Sequence, residues 1–219
     1  MNRSDPSRLT YPASLRRASI TLLPDFVAGA GEADDVDNKD LSEWTITRRS
    51  CDLAFGMSIF DAASDALLSW RVHDRAGVKV GESLGTRAVE GGRVDLTIGP
   101  IRSSCEVVAL IEEPERTVLT YGTLPGHVER GEETFAIAVV PDRRDAQGRP
   151  LIRGYCVAFS RPAWLLAKIG FPVARAGQLF YTGRYLRAMR ALGAQYGHYR
   201  LLLRCSRNGV SPASMISTR

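Results

Sequence analysis

The chain has 219 residues, of which 44% are hydrophobic and 24% charged, and its formal net charge is +5. Because these values are near the averages for soluble globular proteins, they indicate one large folded domain and argue against two. The apolar runs are far shorter than the roughly 20 residues that a membrane-spanning helix needs. The N-terminal residues lack the apolar core and cleavage site of a secretory signal, so a cytoplasmic location is the expectation.

The first 42 residues differ in composition from the rest of the chain. They mix proline, glycine, aspartate and serine, and the stretch GAGEADDVDNKD at 29–40 has the low hydrophobicity and high charge of a disordered linker. We predict a flexible N-terminal extension over 1–42, a single domain over 43–203 and an irregular tail over 204–219. A short apolar patch at 15–26 could dock on the domain.

The domain is predicted to begin with a strand and a helix. Residues 43–50 are rich in the strand-favouring types Trp, Thr and Ile. From Met57 onward, apolar residues recur at spacings of three and four, which predicts an amphipathic helix that Gly77 ends. Alternating apolar segments then predict sequential antiparallel strands over residues 93–98, 105–111, 116–123, 134–140 and 152–160.

A long helical stretch closes the domain. It opens at Pro162 and is interrupted at 170–172, after which apolar and arginine side chains separate onto different faces. The predicted apolar stripe consists of Leu179, Tyr181, Tyr185, Leu186, Ala188, Met189 and Leu192. An antiparallel sheet with one apolar face must be covered, and this is the one predicted element long enough to cover it. The order therefore predicts an α+β helix-grip fold, in which a curved antiparallel sheet of about six or seven strands leaves a cavity under the terminal helix.

The stretch YGTLPGHVERGEETF at 121–135 places ionisable side chains between two apolar segments. If its turn centres near His127, antiparallel pairing sets Tyr121 opposite Glu133; if the next turn centres near Ala146, Glu133 faces Arg161. We therefore predict one inward-facing row formed by Tyr121, Glu133 and Arg161. A carboxylate and a guanidinium on an inward face are expected to pair, because either charge alone is costly to bury.

The row has three interpretations. It could be a structural ion pair that closes the sheet, a polar anchor for a mainly apolar ligand, or a catalytic centre. In the last, Tyr121 or Glu133 would move a proton and Arg161 would hold a developing anion. As a ligand site it would also include Phe135 and Tyr155, which have the same strand phase, and Tyr185 of the terminal helix.

His127 is a further catalytic candidate at the tip of the turn, although a lone turn histidine is usually solvated or bonded to the turn. We predict no metal, because the spacing of His127, Glu129, Glu132 and Glu133 fits no metal signature and the last two point to opposite faces. His73 is interpreted as structural or solvated. No cofactor is predicted, because phosphate-loop and nucleophile motifs are absent, and the four cysteines lie about 50 residues apart without a C-x-x-C pair.

Four segments in order carry a family resemblance: ALLSW at 66–70, the block VVALIEEPERTVLTYGTLPGHVERGEETF at 107–135, FSRPA at 159–163 and YLRAM at 185–189. Together they resemble DUF1990 (UPF0548), an uncharacterised bacterial and plant family. The element order also looks like the START and Bet v 1-like superfamily, whose members hold lipids, polyketides or hormones and include some cyclases and hydrolases. That second likeness is an analogy of fold.

These observations predict a protein that binds a hydrophobic or amphipathic small molecule between the sheet and the C-terminal helix. One alternative is an enzyme of the cyclase, dehydratase or hydrolase type. Another is an interaction protein whose arginine-rich ends contact anionic surfaces, including peripheral contact with a membrane. No specific nucleic-acid partner is predicted, because no recognised nucleic-acid motif is present.

Overall fold

The computed structural model describes residues 9–29, 41–81, 86–163 and 179–195. Its centre is a seven-stranded antiparallel sheet with the order β1-β7-β6-β5-β4-β3-β2. The strands are β1 (Thr45–Phe55), β2 (Lys79–Val80), β3 (Arg93–Ile98), β4 (Ile101–Glu112), β5 (Arg116–Thr123), β6 (Glu129–Arg144) and β7 (Pro150–Pro162). The helices are α1 (Asp25–Ala28), α2 (Met57–Leu68), α3 (Arg71–Arg75) and α4 (residues 179–195), and two 3-10 turns occupy Ala13–Leu15 and Ile20–Leu22.

Helices α2, α3 and α4 cover one face of the sheet, here called the inner face. The predicted stripe on α4 is confirmed, since Tyr185 and Met189 are buried in the same core as Leu67 of α2 and Ile137 of β6. Helix α4 packs closely on β7 at Gly154, where a Cβ would lie 2.9 Å from the Met189 sulfur. The α+β helix-grip arrangement predicted from the order of elements is therefore confirmed.

The helix predicted from Met57 to Gly77 is two helices. It breaks after Leu68, where Trp70 adopts a left-handed backbone with φ of 63°. The turn sends α3 off in a new direction and buries His73 completely. None of the helices that the structure describes is long and apolar enough to cross a bilayer.

The opposite, outer face is covered by residues 9–29. Ile20 and Val27 are fully buried there against Val118, Ala136 and Phe159 of the sheet. This segment differs from the flexible extension predicted over 1–42, because its apolar side chains complete a second core. Residues 1–8, 30–40 and 204–219, which the predicted extension and tail also include, lie outside the described residues.

One buried carboxylate fixes the N-terminal segment to the sheet. Glu132 of β6 accepts hydrogen bonds from the Arg17 N–H at 2.8 Å, the Ser19 N–H at 2.9 Å, the Ser19 hydroxyl at 2.5 Å and the Tyr11 hydroxyl at 2.6 Å. Arg17 has a φ of 66°, a backbone conformation that helps to turn two nearby N–H groups toward one anion. Tyr11 lies over Gly122, where any Cβ would clash with its hydroxyl.

The pairing of β6 with β7 contains a bulge that changes which residues face inward. Next to the connecting turn Arg144 pairs with Pro150, but farther along Val139 pairs with Ile152, so residues 140–143 of β6 oppose residue 151 alone. Asp142 in this bulge has a φ of 55°. The register shifts by three residues, which is an odd number, and successive side chains of a strand alternate between faces. The side chains of β7 therefore face the opposite side of the sheet from the one that a hairpin without the bulge would give them.

The Glu132 cluster generates a stability prediction. Substituting Glu132→Ala leaves two buried N–H groups and two hydroxyls without their acceptor, and we expect a loss of about 2–4 kcal/mol in the free energy of unfolding. Urea denaturation measures this loss. Glu90→Ala, at an exposed position, is the matched control and is expected to change stability by less than about 0.5 kcal/mol. A loss for Glu132→Ala as small as that of the control would contradict this role.

Candidate functional site

A pocket of about 310 Å³ lies on the inner face beside α4. Strands β3 to β7 supply most of its wall, and Tyr181 and Tyr185 of α4 supply one side. Near β3 and β4 the wall is mainly apolar, with Leu96, Ile98 and Ile101. A pocket of this kind, apolar with a few polar groups, is typical of small-molecule sites.

Glu133 lies on the inner face of β6 and is one of three glutamates of this strand that line the pocket, with Glu129 and Glu132. Its carboxylate accepts a hydrogen bond from the Tyr121 hydroxyl at 3.0 Å and one from the Cys156 thiol at 3.3 Å. The side chain is half-buried, because one side of it lines the pocket. Desolvation raises the pKa of Glu133 above its ordinary value, and the two hydrogen bonds offset only part of that effect.

His73 extends this cluster into the core. Because the Tyr121 hydroxyl donates to Glu133, the Nε2–H of His73 is the donor to the Tyr121 oxygen, at 3.3 Å. Its Nδ1 has no hydrogen-bond partner among the described residues. Burial lowers the pKa of His73 to about 3, so the imidazole is neutral at physiological pH.

Aromatic rings hold this hydrogen-bonded chain in place. The His73 ring lies 5.1 Å from the rings of Trp70, Phe135 and Tyr185, and Phe135 lies 4.9 Å from Tyr185, measured between ring centroids. Burial, and next the charge of Glu133, hold the pKa of Tyr121 and of Tyr185 well above the ordinary value. Both phenols are therefore neutral hydrogen-bonding groups rather than phenolates.

One half of the predicted row, the contact between Tyr121 and Glu133, is confirmed. Tyr121 pairs with Glu133 as the turn chemistry indicated, and their side chains are hydrogen-bonded on the inner face. The predicted contact between Glu133 and Arg161 is wrong, because Glu133 pairs with Ala158 and Arg161 pairs with Arg130. The cause is the bulge in β6.

The same bulge places Tyr155 and Arg161 on the outer side of the sheet. Tyr155 packs in the outer core with the N-terminal segment. Arg161 stacks over the Trp44 ring at 4.6 Å and donates to the Glu43 backbone oxygen at 2.7 Å and to its carboxylate. Of the predicted ligand-binding residues, Tyr121, Glu133, Phe135 and Tyr185 therefore lie together, whereas Tyr155 and Arg161 lie elsewhere.

His127 lines the pocket at the turn between β5 and β6. Its Nδ1 accepts a hydrogen bond from the Glu129 N–H at 3.0 Å, so the ring is fixed by its own turn. Burial lowers the pKa of His127 to about 4, and the Glu129 carbonyl oxygen, 3.0 Å from Nδ1, opposes that shift in part because it can accept a hydrogen bond from a protonated ring. Among the described residues, no hydrogen bond joins His127 to Tyr121 or Glu133.

Sequence reasoning missed His73, Cys105 and Cys156 as members of this site. His73 shares an apolar face with Trp70 at a helical spacing of three, but that pattern is more often ordinary core than site. The cysteines alternate into the inner face of β4 and β7, and all three cysteines of the described residues are free thiols. Among the described residues no group of three or more His, Cys, Asp or Glu side chains could hold a metal ion.

The buried carboxyl predicts a pH-dependent stability difference. Because the pKa of Glu133 is raised above its unfolded value of about 4.3, the folded state holds its proton longer, and stability falls as pH rises through the folded pKa. Glu133→Gln removes this effect. We expect the unfolding free energy of the variant, minus that of the wild type, to increase between about pH 4 and about pH 8.

Urea denaturation of both proteins across that pH range measures the difference. Contributions from Glu132 and other titrating groups cancel in the subtraction. A difference that stays constant, or that decreases with pH, would show that Glu133 has no raised pKa in the folded protein.

Two relatives share part of this sequence. A UPF0548 protein of Dictyostelium discoideum is 27% identical over 146 residues, which are 61% of this chain and 66% of the relative. A UPF0548 protein of Deinococcus radiodurans is 38% identical over 88 residues, which are 40% of this chain and 41% of the relative. The chain thus spans less than two thirds of the length of either relative.

Solved structures show weaker likenesses. A hypothetical protein of Helicobacter pylori is 8% identical with a TM-score of 0.48, covering 87% of this chain and 98% of that one. Norcoclaurine synthase from Thalictrum flavum is 16% identical with a TM-score of 0.42, covering 68% of this chain and 92% of that one. Both TM-scores are below 0.5, and the fold is defined by the strand order and helix packing described above.

The family model described as a domain of unknown function (DUF1990) matches residues 32–188, which include every strand, α2, α3 and most of the described part of α4. The match contains the Tyr121, Glu133, Cys156 and His73 cluster. The resemblance noted in the four sequence segments is confirmed: the chain belongs to the DUF1990 family.

Proposed function

We propose that the protein binds an apolar or amphipathic small molecule in the pocket beside α4. The observation that carries the proposal is a pocket of about 310 Å³ with a mainly apolar wall and one hydrogen-bonded polar cluster, Tyr121, Glu133 and Cys156. A few polar groups in an apolar pocket orient a ligand, while burial of its apolar surface supplies the affinity.

The pocket volume limits the ligand. At about 30 Å³ for a water-sized group, this volume holds about ten non-hydrogen atoms. Ala158 of β7 lies beside Glu133 in the pocket wall, because it is the strand partner of Glu133 and also lines the pocket. A larger side chain at position 158 would fill part of the pocket volume.

Binding of n-alkanols from butanol to dodecanol tests the proposal. We expect affinity to rise about fourfold per methylene, from about 0.8 kcal/mol of transfer free energy, and to level off near ten non-hydrogen atoms. Ala158→Leu adds three carbon atoms to the pocket and is expected to weaken binding about tenfold or more. Isothermal titration calorimetry measures both effects.

The matched control is Ala146→Leu, the same substitution in the exposed turn between β6 and β7. It is expected to bind the alkanols as the wild type does. Absence of saturable binding, or equal binding by the Ala158→Leu variant, would contradict a ligand site at this pocket.

An enzyme is the second candidate, and the chain of hydrogen bonds from His73 through Tyr121 to Glu133 is the observation that favours it. A carboxyl whose pKa is raised by burial at the wall of a pocket can act as a general acid or base. The bonded phenol and neutral imidazole would position it. The proton would move between Glu133 and the bound substrate.

Incubating metabolite extracts with the protein and following them by mass spectrometry tests this second candidate. A compound consumed by the wild type and by Glu90→Gln, but not by Glu133→Gln, would support it. Consumption that persists with Glu133→Gln would contradict a role for this carboxyl in the reaction. The third reading, an interaction protein, depends on the chain ends, of which 1–8 and 196–219 lie outside the described residues.

A further inference from the structure

The groups around Glu133 have one chemical property in common. Each element packed against it presents a titratable side chain that is neutral or acidic: Cys105 from β4, Tyr121 from β5, Cys156 from β7, Tyr185 from α4 and, through Tyr121, His73 from α3. The phenols and thiols can only add negative charge when they titrate. Among the described residues, none of the groups that shift the pKa of Glu133 is a cation.

A buried carboxyl group that has no cation beside it favours its neutral form, and a cation beside it would favour the carboxylate. Glu133 keeps its two oxygens occupied by neutral donors, Tyr121 and Cys156, and its remaining accessible side faces the pocket. His73 reaches this cluster through the Tyr121 hydroxyl, and burial keeps its imidazole neutral. His127, Glu129 and Arg130 line the pocket toward the turn: His127 is neutral, Glu129 is half-buried and Arg130 is exposed. Among the residues that the structure describes, no cation is bonded to Glu133, and a cationic ligand would supply that positive charge.

From this arrangement, and given the proposed function on which it rests, we infer that the ligand carries a protonated amine that pairs with Glu133. Its apolar part lies against Leu96, Ile98 and Ile101. The rings of Tyr181 and Tyr185 line the same pocket, and aromatic faces attract cations. A charge-assisted hydrogen bond from N⁺–H to the carboxylate completes the acceptor capacity that Tyr121 and Cys156 leave open.

The pairing has a pH signature. In the free protein burial favours protonated Glu133, whereas the bound cation favours the carboxylate, so binding releases a proton between the two pKa values. Amine affinity therefore rises as pH rises through the pKa of free Glu133. The amine itself stays protonated in this range, as a lysine side chain does with its pKa of about 10.4.

Three probes of nearly equal size separate the possibilities: n-octylamine, n-octanol and n-octanoate. We expect n-octylamine to bind the wild type about tenfold or more tightly than n-octanol near pH 8, and n-octanoate to bind most weakly. Glu133→Gln is expected to abolish the preference for n-octylamine over n-octanol. Glu90→Gln removes the same charge at an exposed site and is expected to retain the preference.

The outcomes distinguish this inference from the function on which it rests. Equal affinity for amine and alcohol, tighter binding of n-octanoate, or an amine preference that survives in Glu133→Gln would each overturn the amine ligand and leave the apolar pocket standing. Failure of all three probes to bind would overturn both.

A wild-type measurement covers the case in which Glu133→Gln fails to fold. Between about pH 5 and about pH 8, n-octylamine affinity must rise while n-octanol affinity does not rise with it. A flat profile for the amine would overturn the inference.

Discussion

Two neighbouring glutamates of β6 are enclosed on opposite faces of one strand, and the placement of these carboxylates organises the rest of the molecule. Glu132 points outward and receives four hydrogen bonds from the N-terminal segment. Glu133 points inward and receives two, from Tyr121 and Cys156. A buried carboxylate is costly unless donors surround it, so each face of the sheet needs its own solution.

The two carboxylates differ in how completely protein donors surround them, and this difference separates the structural role of Glu132 from the proposed ligand-binding role of Glu133. Around Glu132 both oxygens are enclosed by N–H and O–H donors, and the side chain is 3% exposed. Around Glu133 the donors are neutral and fewer, and the carboxyl borders an apolar pocket. The first arrangement holds a segment in place. The second leaves a polar group facing space that a ligand can fill.

Much of this fold follows from local sequence patterns. Residue types, alternation and helical spacing predicted every strand except the short β2, the start of α2 and the buried stripe of α4, because each of these elements has one face in a core. The Tyr121 and Glu133 pairing followed from a single turn near His127. The inward face of β7 did not follow, because four residues of β6 oppose one of β7 at a bulge that has no strong signal in the sequence. A glycine would have marked it, but Asp142 takes the left-handed conformation instead.

The site also depends on contacts between distant segments that a sequence pattern does not contain. His73 reaches Tyr121 only because the chain turns at Trp70, a residue type that rarely adopts a left-handed backbone. The N-terminal segment closes the outer face through Glu132, although its composition is typical of a loop. The account depends most directly on a Glu133 carboxyl whose pKa is raised by burial in the ligand-free protein. A carbon-detected NMR titration of its carboxyl group in the ligand-free protein measures this, with Glu133→Gln assigning the signal. The account predicts a midpoint well above about 4.3, and a midpoint at or below that value would contradict it.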